Sequence, residues 1–125
     1  MKHPERVEDY LEHISGAIDR ATSYLEPLQT LEALQRNQQV QDAIVRNIEV
    51  IGEAATKIQK MAPEFIDRHS QIPWAQMRAM RNVMIHEYFF LDLKIVWTTV
   101  KDDPPELKRQ IEALLIEQRS GQKQE

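Results

Sequence analysis

The sequence predicts an all-α fold, an antiparallel bundle of four long helices with short additional helices joined by short links. Three observations carry that prediction. Apolar residues recur at spacings of three and four along most of the chain. No stretch shows the period-two alternation of a half-buried strand. No Asn-Gly or Asp-Gly dipeptide marks a hairpin.

Val7, Leu11, Ile14, Ile18, Ala21 and Leu25 form the first stripe, and Pro27 marks its end. Thr30 can cap a short helix reaching Arg36. Val40, Ile44, Ile48, Ile51, Ala55 and Ile58 form the second long stripe, which closes near Met61 before Pro63. Glu64 to His69 reads as a short turn or helix. Pro73 is placed to open a third long helix from its N1 position, with Trp74, Met77, Met80 and Met84 inward. Leu93, Val96, Trp97 and Val100 belong to a fourth helix, which Pro104 and Pro105 must interrupt or kink. Asp103 can cap the restarted helix with Pro104 at N1, and Leu107, Ile111, Leu114 and Leu115 continue the apolar face. One domain over residues 1–125 is expected, with a polar tail from about residue 118 that frays from Ser120.

Composition narrows the function classes. Apolar residues make up 42% and charged residues 29%, an ordinary soluble balance. The absence of cysteine excludes disulfides, thiolate metal sites and a cysteine nucleophile. Gly16, Gly52 and Gly121 are too scattered for a phosphate-cradling loop. No apolar run has the length of a membrane span, and the polar start Met1–Arg6 lacks the apolar core of a signal peptide, so no membrane association and a cytoplasmic location are expected. A net charge of −4 counts against gripping nucleic acid through bulk electrostatics. Charge is uneven, however: Arg68, His69, Arg78, Arg81 and His86 follow one another with no acid between them.

The segment Met80–Phe90 carries the chemistry, with Arg81, His86 and Tyr88 spaced R-x4-H-x-Y. At about 100° per residue, Arg81 and Tyr88 fall within roughly 20° of one helix face. His86 would point about 140° from Arg81 on an ideal helix. Arg81 and His86 can meet on one substrate if the helix ends or distorts near His86, or if a second protomer completes the site across a two-fold axis. Histidine titrates near neutrality and can take a proton from a ribose 2′-OH or give one to a leaving oxygen. Arginine can fork onto phosphate oxygens and stabilise charge in the transition state. This set suits metal-independent RNA cleavage by internal transesterification, a reaction closed to DNA. Tyr88 or Phe89 can stack on an unpaired base. The structural alternative is a histidine satisfied in the core and an arginine bridging an acid on a neighbouring helix.

Arg81-Asn82-Val83-Met84-Ile85-His86-Glu87-Tyr88 resembles the signature of HEPN ribonucleases in the HepT-like branch. The resemblance extends to Gln41–Ala55, to Ile72-Pro73-Trp74 with Met80-Arg81-Asn82, and to Asp92–Trp97 with Asp103 and its prolines, covering roughly residues 5 to 116. It implies the HEPN-like bundle and an RNA-cleaving toxin of a toxin–antitoxin pair, acting as a homodimer or larger oligomer with its cleft at the interface. Arg81 and His86 take the catalytic positions, without a cofactor or metal. The resemblance further implies an MntA-like nucleotidyltransferase antitoxin that neutralises the toxin by transferring AMP to Tyr88. A bulky anion beside Arg81 would then occupy the place of the RNA phosphate. Many relatives carry glycine where this chain has Glu87.

Arg46, Asn47, Glu49 and Glu53 form a second polar group on the second long helix, neighbours at three and four residues. Arg46, Glu49 and Glu53, with Asn82, are candidate supporting groups for the site, one of the acids either pairing with Arg81 or lining the cleft; a solvated helix face is the alternative. A different function class uses the same fold: a catalytically inactive helical subunit that binds a small nucleotidyltransferase. Growth arrest that depends on His86 separates the enzyme from the binding subunit.

Overall fold

A computed structural model describes residues 6–79 and 104–123. The fold is an all-α bundle, and the described residues contain no strand. Helix α1 spans Val7–Leu25, α2 Leu31–Gln35, α3 Gln38–Met61 and α4 Pro63–Arg68. A further helical segment opens at residues 74–79, and α5 spans Pro104–Lys123. Met80, Met84, Leu93, Val96, Trp97 and Val100, assigned to helix from the periodicity, and the expected cap Asp103 lie outside the described residues.

Local chemistry explains the element boundaries. The Asp9 carboxylate accepts from the Arg6 backbone N–H at 2.7 Å, closing the start of α1. Thr30 Oγ1 accepts from the Ala33 N–H at 3.1 Å, the cap expected for α2. Asn37 Oδ1 accepts from the Val40 N–H at 3.0 Å and caps α3. Gln41 Nε2 donates back to the carbonyls of Leu34 and Gln35, so α3 satisfies the C-terminal end of α2. Pro63 ends α3 and stands at the first position of α4.

The stripes pack as one antiparallel layer around α1. The start of α1 (Leu11, Ile14, Ile18) meets the end of α3 (Ala54, Ala55, Ile58) and Ile111, Leu114 and Leu115 of α5. At the other end, Ala21 and Leu25 meet Leu34 of α2 and Ile44, Val45 and Ile48 of α3. Burying an isoleucine completely, as at Ile14, Ile58 and Ile111, contributes roughly 1.5–3 kcal/mol. On the outer side, Arg119 of α5 reaches Glu8 and Glu12 of α1 at 3.2 and 2.7 Å, and Lys108 pairs with Asp19. These pairings fix α5 antiparallel to α1.

Two boundaries differ from the sequence reading. Pro73 occupies the N-cap rather than N1: its carbonyl accepts from the Met77 N–H at 3.1 Å, and helix begins one residue later. The polar tail is not frayed from Ser120, because α5 continues to Lys123. The ties from Arg119 to α1 hold that last stretch in register. No helix among the described residues is long and apolar enough to cross a membrane.

Candidate functional site

The chain enters the motif segment through a closely packed corner. Phe65 of α4 is buried, and its ring lies 4.5 Å from that of His69 and 6.3 Å from that of Trp74. The carbonyl of His69 accepts twice, from the Ile72 N–H at 3.1 Å and from Trp74 Nε1 at 3.0 Å. Trp74 can therefore bury its ring without stranding its one polar atom. Ile72 and Met77 are buried beside it. One turn further on, Arg78 Nη1 donates to Gln59 Oε1 of α3 at 3.0 Å. The segment 74–79 is thus held to the C-cap of α4 by an indole and to α3 by a guanidinium. Arg81, Asn82, His86 and Tyr88 lie outside the described residues.

The second polar group divides between two faces of α3. Exposed Arg46 and half-buried Glu49 form an i,i+3 pair at 3.8 Å, a geometry that stabilises little. Glu53 is exposed and makes no ion pair among the described residues. Asn47 points the other way and is 5% exposed, the buried polar residue of the described core. Its Nδ2 donates to the Ala43 carbonyl at 2.8 Å, and its Oδ1 accepts from Arg20 Nε of α1 at 2.8 Å. The Arg20 guanidinium lies over Gly16, where an added Cβ would approach Nη1 to 3.2 Å. Asn47 is therefore an inter-helix link.

Sequence reasoning missed Gln59 and Arg20 as partners of Arg78 and Asn47. For Asn47 a signal was present, since it interrupts an apolar stripe between Ile44, Ile48 and Ile51. For Gln59 there was none, because a glutamine beside an apolar stripe is ordinary helix surface. An open groove between α1 and α5 is lined by Glu12, Ser15, Glu112, Leu115, Ile116 and Arg119. Its arginine is already neutralised by Glu8 and Glu12.

Comparison with known proteins decides the family. The model of the HepT-like ribonucleases matches residues 14–114, a span that runs from α1 through the R-x4-H-x-Y segment into α5. The chain belongs to the HepT-like ribonuclease family. A HepT-like relative from Thermococcus cleftensis, named "Probable ribonuclease HepT", is 37% identical over 107 residues, covering 86% of this chain and 94% of that protein. Another, from Caldanaerobacter subterraneus subsp. tengcongensis and named "Putative RNase", is 34% identical over 115 residues, covering 92% of this chain and 96% of its own. A two-part protein of Methanocaldococcus jannaschii, named "Gamma-glutamylcyclotransferase and putative RNase", is 36% identical over 111 residues, which are 48% of its length. No solved structure matches the chain.

Proposed function

We propose that this chain is a metal-independent endoribonuclease toxin, a single domain over residues 1–125 that acts in the cytoplasm as a homodimer. The observation that carries the reading is the complete R-x4-H-x-Y run, Arg81, His86 and Tyr88, inside the stretch that matches the HepT-like family. In this reading His86 removes the proton from a ribose 2′-OH. The freed 2′ oxygen attacks the adjacent phosphorus, the bond to the 5′ oxygen breaks, and that oxygen leaves with a proton. The products are a 2′,3′-cyclic phosphate and a 5′-hydroxyl. Arg81 holds the non-bridging oxygens and stabilises their charge as it grows. Asn82, Glu49, Glu53 and Arg46 are the candidate supporting groups in this reading.

Regulation follows from the same segment. A nucleotidyltransferase antitoxin of the MntA-like kind transfers AMP from ATP to the Tyr88 hydroxyl, releasing pyrophosphate. The added phosphate sits within reach of Arg81 and competes with the RNA backbone for it.

Total RNA incubated with the purified protein in excess chelator tests the reaction. Cleavage by the wild type and none by His86→Ala is the expected result. Equal cleavage by both would reject His86 as the catalytic residue, and none by either would favour the nucleotidyltransferase-binding subunit. Intact mass after incubation with the antitoxin and ATP should show AMP added to the wild type and not to Tyr88→Phe.

A further inference from the structure

The helical segment that leads into the motif is tied by side chains at two levels. Trp74 Nε1 donates to the His69 carbonyl at 3.0 Å, and Arg78 Nη1 donates to Gln59 Oε1 at 3.0 Å. Trp74 and Arg78 are four residues apart on the segment 74–79, so they share a face and stand about 6 Å apart along its axis. Met77, between them in sequence, is buried. Apolar packing of the kind Met77 supplies is non-directional, so it resists small rolls of a helix only weakly. Hydrogen bonds weaken steeply as they bend, so the two ties fix the roll that packing leaves loose.

Both anchors belong to one corner of the fold. Ala62 is the C-cap of α3 and the N-cap of α4, and its carbonyl accepts from the Phe65 N–H at 3.0 Å. Gln59 stands three residues before Ala62, half-buried and next in sequence to the fully buried Ile58. His69 is the C-cap of α4. Arg78 is half-buried as well, and its bond to Gln59 joins side chains 19 residues apart. Arg81 follows Arg78 by three residues, a tether of at most about 11 Å. A change of roll at Arg78 is therefore passed on to Arg81 with little slack.

We propose that Gln59 and Arg78 are positioning residues for RNA cleavage: their bond sets the roll of the segment 74–79 and through it the aim of Arg81 at the scissile phosphate. This rests on the ribonuclease reading and deepens it to what orients the site. Neither side chain touches RNA in this scheme. The pair supports a group that does, and a misaimed group loses rate before it loses affinity.

Steady-state cleavage of a defined RNA, at a temperature where far-UV circular dichroism shows every variant folded, separates positioning from binding. Gln59→Leu and Arg78→Met should each lower kcat by about tenfold, within the roughly 10²-fold that a misplacement of about 1 Å can cost, and leave KM within about twofold. The double variant should be no slower than the slower single variant, because both act through one bond. Gln59→Glu keeps an acceptor for Arg78 and should hold kcat near the wild-type value. Ile58→Val, a core change on the same helix, should keep kcat too. Binding of 2′-O-methyl oligouridine, which lacks the attacking hydroxyl, should show the same salt dependence in Arg78→Met as in the wild type. Wild-type kcat in both single variants, or losses that multiply in the double variant, would overturn the pair while leaving the ribonuclease intact. A slope of log affinity against log salt lower by about 0.7 in Arg78→Met and unchanged in Gln59→Leu would make Arg78 an RNA contact and overturn the pair as well. A wild type that cleaves no RNA would overturn the ribonuclease reading and the role of the pair with it.

Discussion

Replacing Asn47 by alanine should destabilise the fold measurably although no apolar contact of consequence is lost. The side chain is 5% exposed and joins α1 to α3 through Arg20 at 2.8 Å. A hydrogen bond to a charged donor is worth about 1.5–3 kcal/mol net, and the lower end applies because Arg20 is exposed and regains water when released. The bond to the Ala43 carbonyl stays within the helix and adds about 0.5 kcal/mol. Alanine returns about 0.5 kcal/mol through its better helix propensity. The net loss is about 1.5 kcal/mol, which lowers the melting temperature of a chain this long by about 5 °C. Urea and thermal unfolding followed by far-UV circular dichroism measure it, with Arg20→Met and the double variant completing a cycle. A coupling energy of about 1 kcal/mol is expected from two residues in direct contact. Additive losses would refute the link. Asn47→Asp separates the two bonds, since it keeps the acceptor facing Arg20 and removes the donor to Ala43.

Other outcomes follow from the same packing. Ile58→Ala opens a cavity in a fully buried position and should cost about 2–5 kcal/mol in urea unfolding. Trp74→Phe removes the donor to the His69 carbonyl and some volume, and should cost about 1–3 kcal/mol. Because Trp74 sets the entry to the motif segment, this variant should lose more RNA cleavage than Ile111→Val at matched stability. Thr30→Ala should cost about 1 kcal/mol through the lost cap on α2. Lys108 is held above the ordinary lysine value by its hydrogen bond to Asp19, assisted by the charges of Asp19 and Glu112 and opposed by partial burial. A raised lysine pKa stabilises the fold at and below the ordinary lysine range and ceases to as pH rises through the folded value. The melting-temperature gap between wild type and Lys108→Met should therefore be steady near neutrality and shrink in strong alkali. A gap that widens there would contradict the assignment of Asp19 as the principal partner.

Most of the fold was legible because helix stripes depend on short-range periodicity. Leu11, Ile14, Ile18, Ala21 and Leu25 all proved buried, as did Ile44, Ile48, Ala55 and Ile58. Proline and capping chemistry placed the boundaries at Thr30, Pro63 and Pro104 within a residue. What periodicity could not show was which polar residues meet across helices. Asn47 and Arg20 are 27 residues apart, and Gln59 and Arg78 are 19 apart. Such pairs depend on the axial offset of two helices, which no single stripe records. The extent of α5 was underestimated for the same reason, since Arg119 is tied to glutamates more than 100 residues away. The motif was legible as a spacing and as a family resemblance. The grouping of Arg46, Glu49 and Glu53 with it was inferred from their clustering along α3.

A net charge of −4 and an RNA substrate are compatible once distance is considered. At physiological ionic strength exposed charges are screened over about 8 Å, so an approaching strand responds to the nearest face rather than to the total. On the α1–α5 face, Glu8, Glu12 and Asp19 already hold the cations Arg119 and Lys108, leaving nothing there to attract phosphate. At the far end of α3, Lys57 and Lys60 are exposed and make no ion pair among the described residues. A polyanion would be repelled more by the first face than by the second. The second face is also where the chain passes from α4 into the segment bearing Arg81 and His86. On this argument the acidity of α1 and α5 contributes to where RNA is admitted, and reversing Glu8 and Glu12 to lysine should strengthen RNA binding while lowering the fraction of bound strands that are cut.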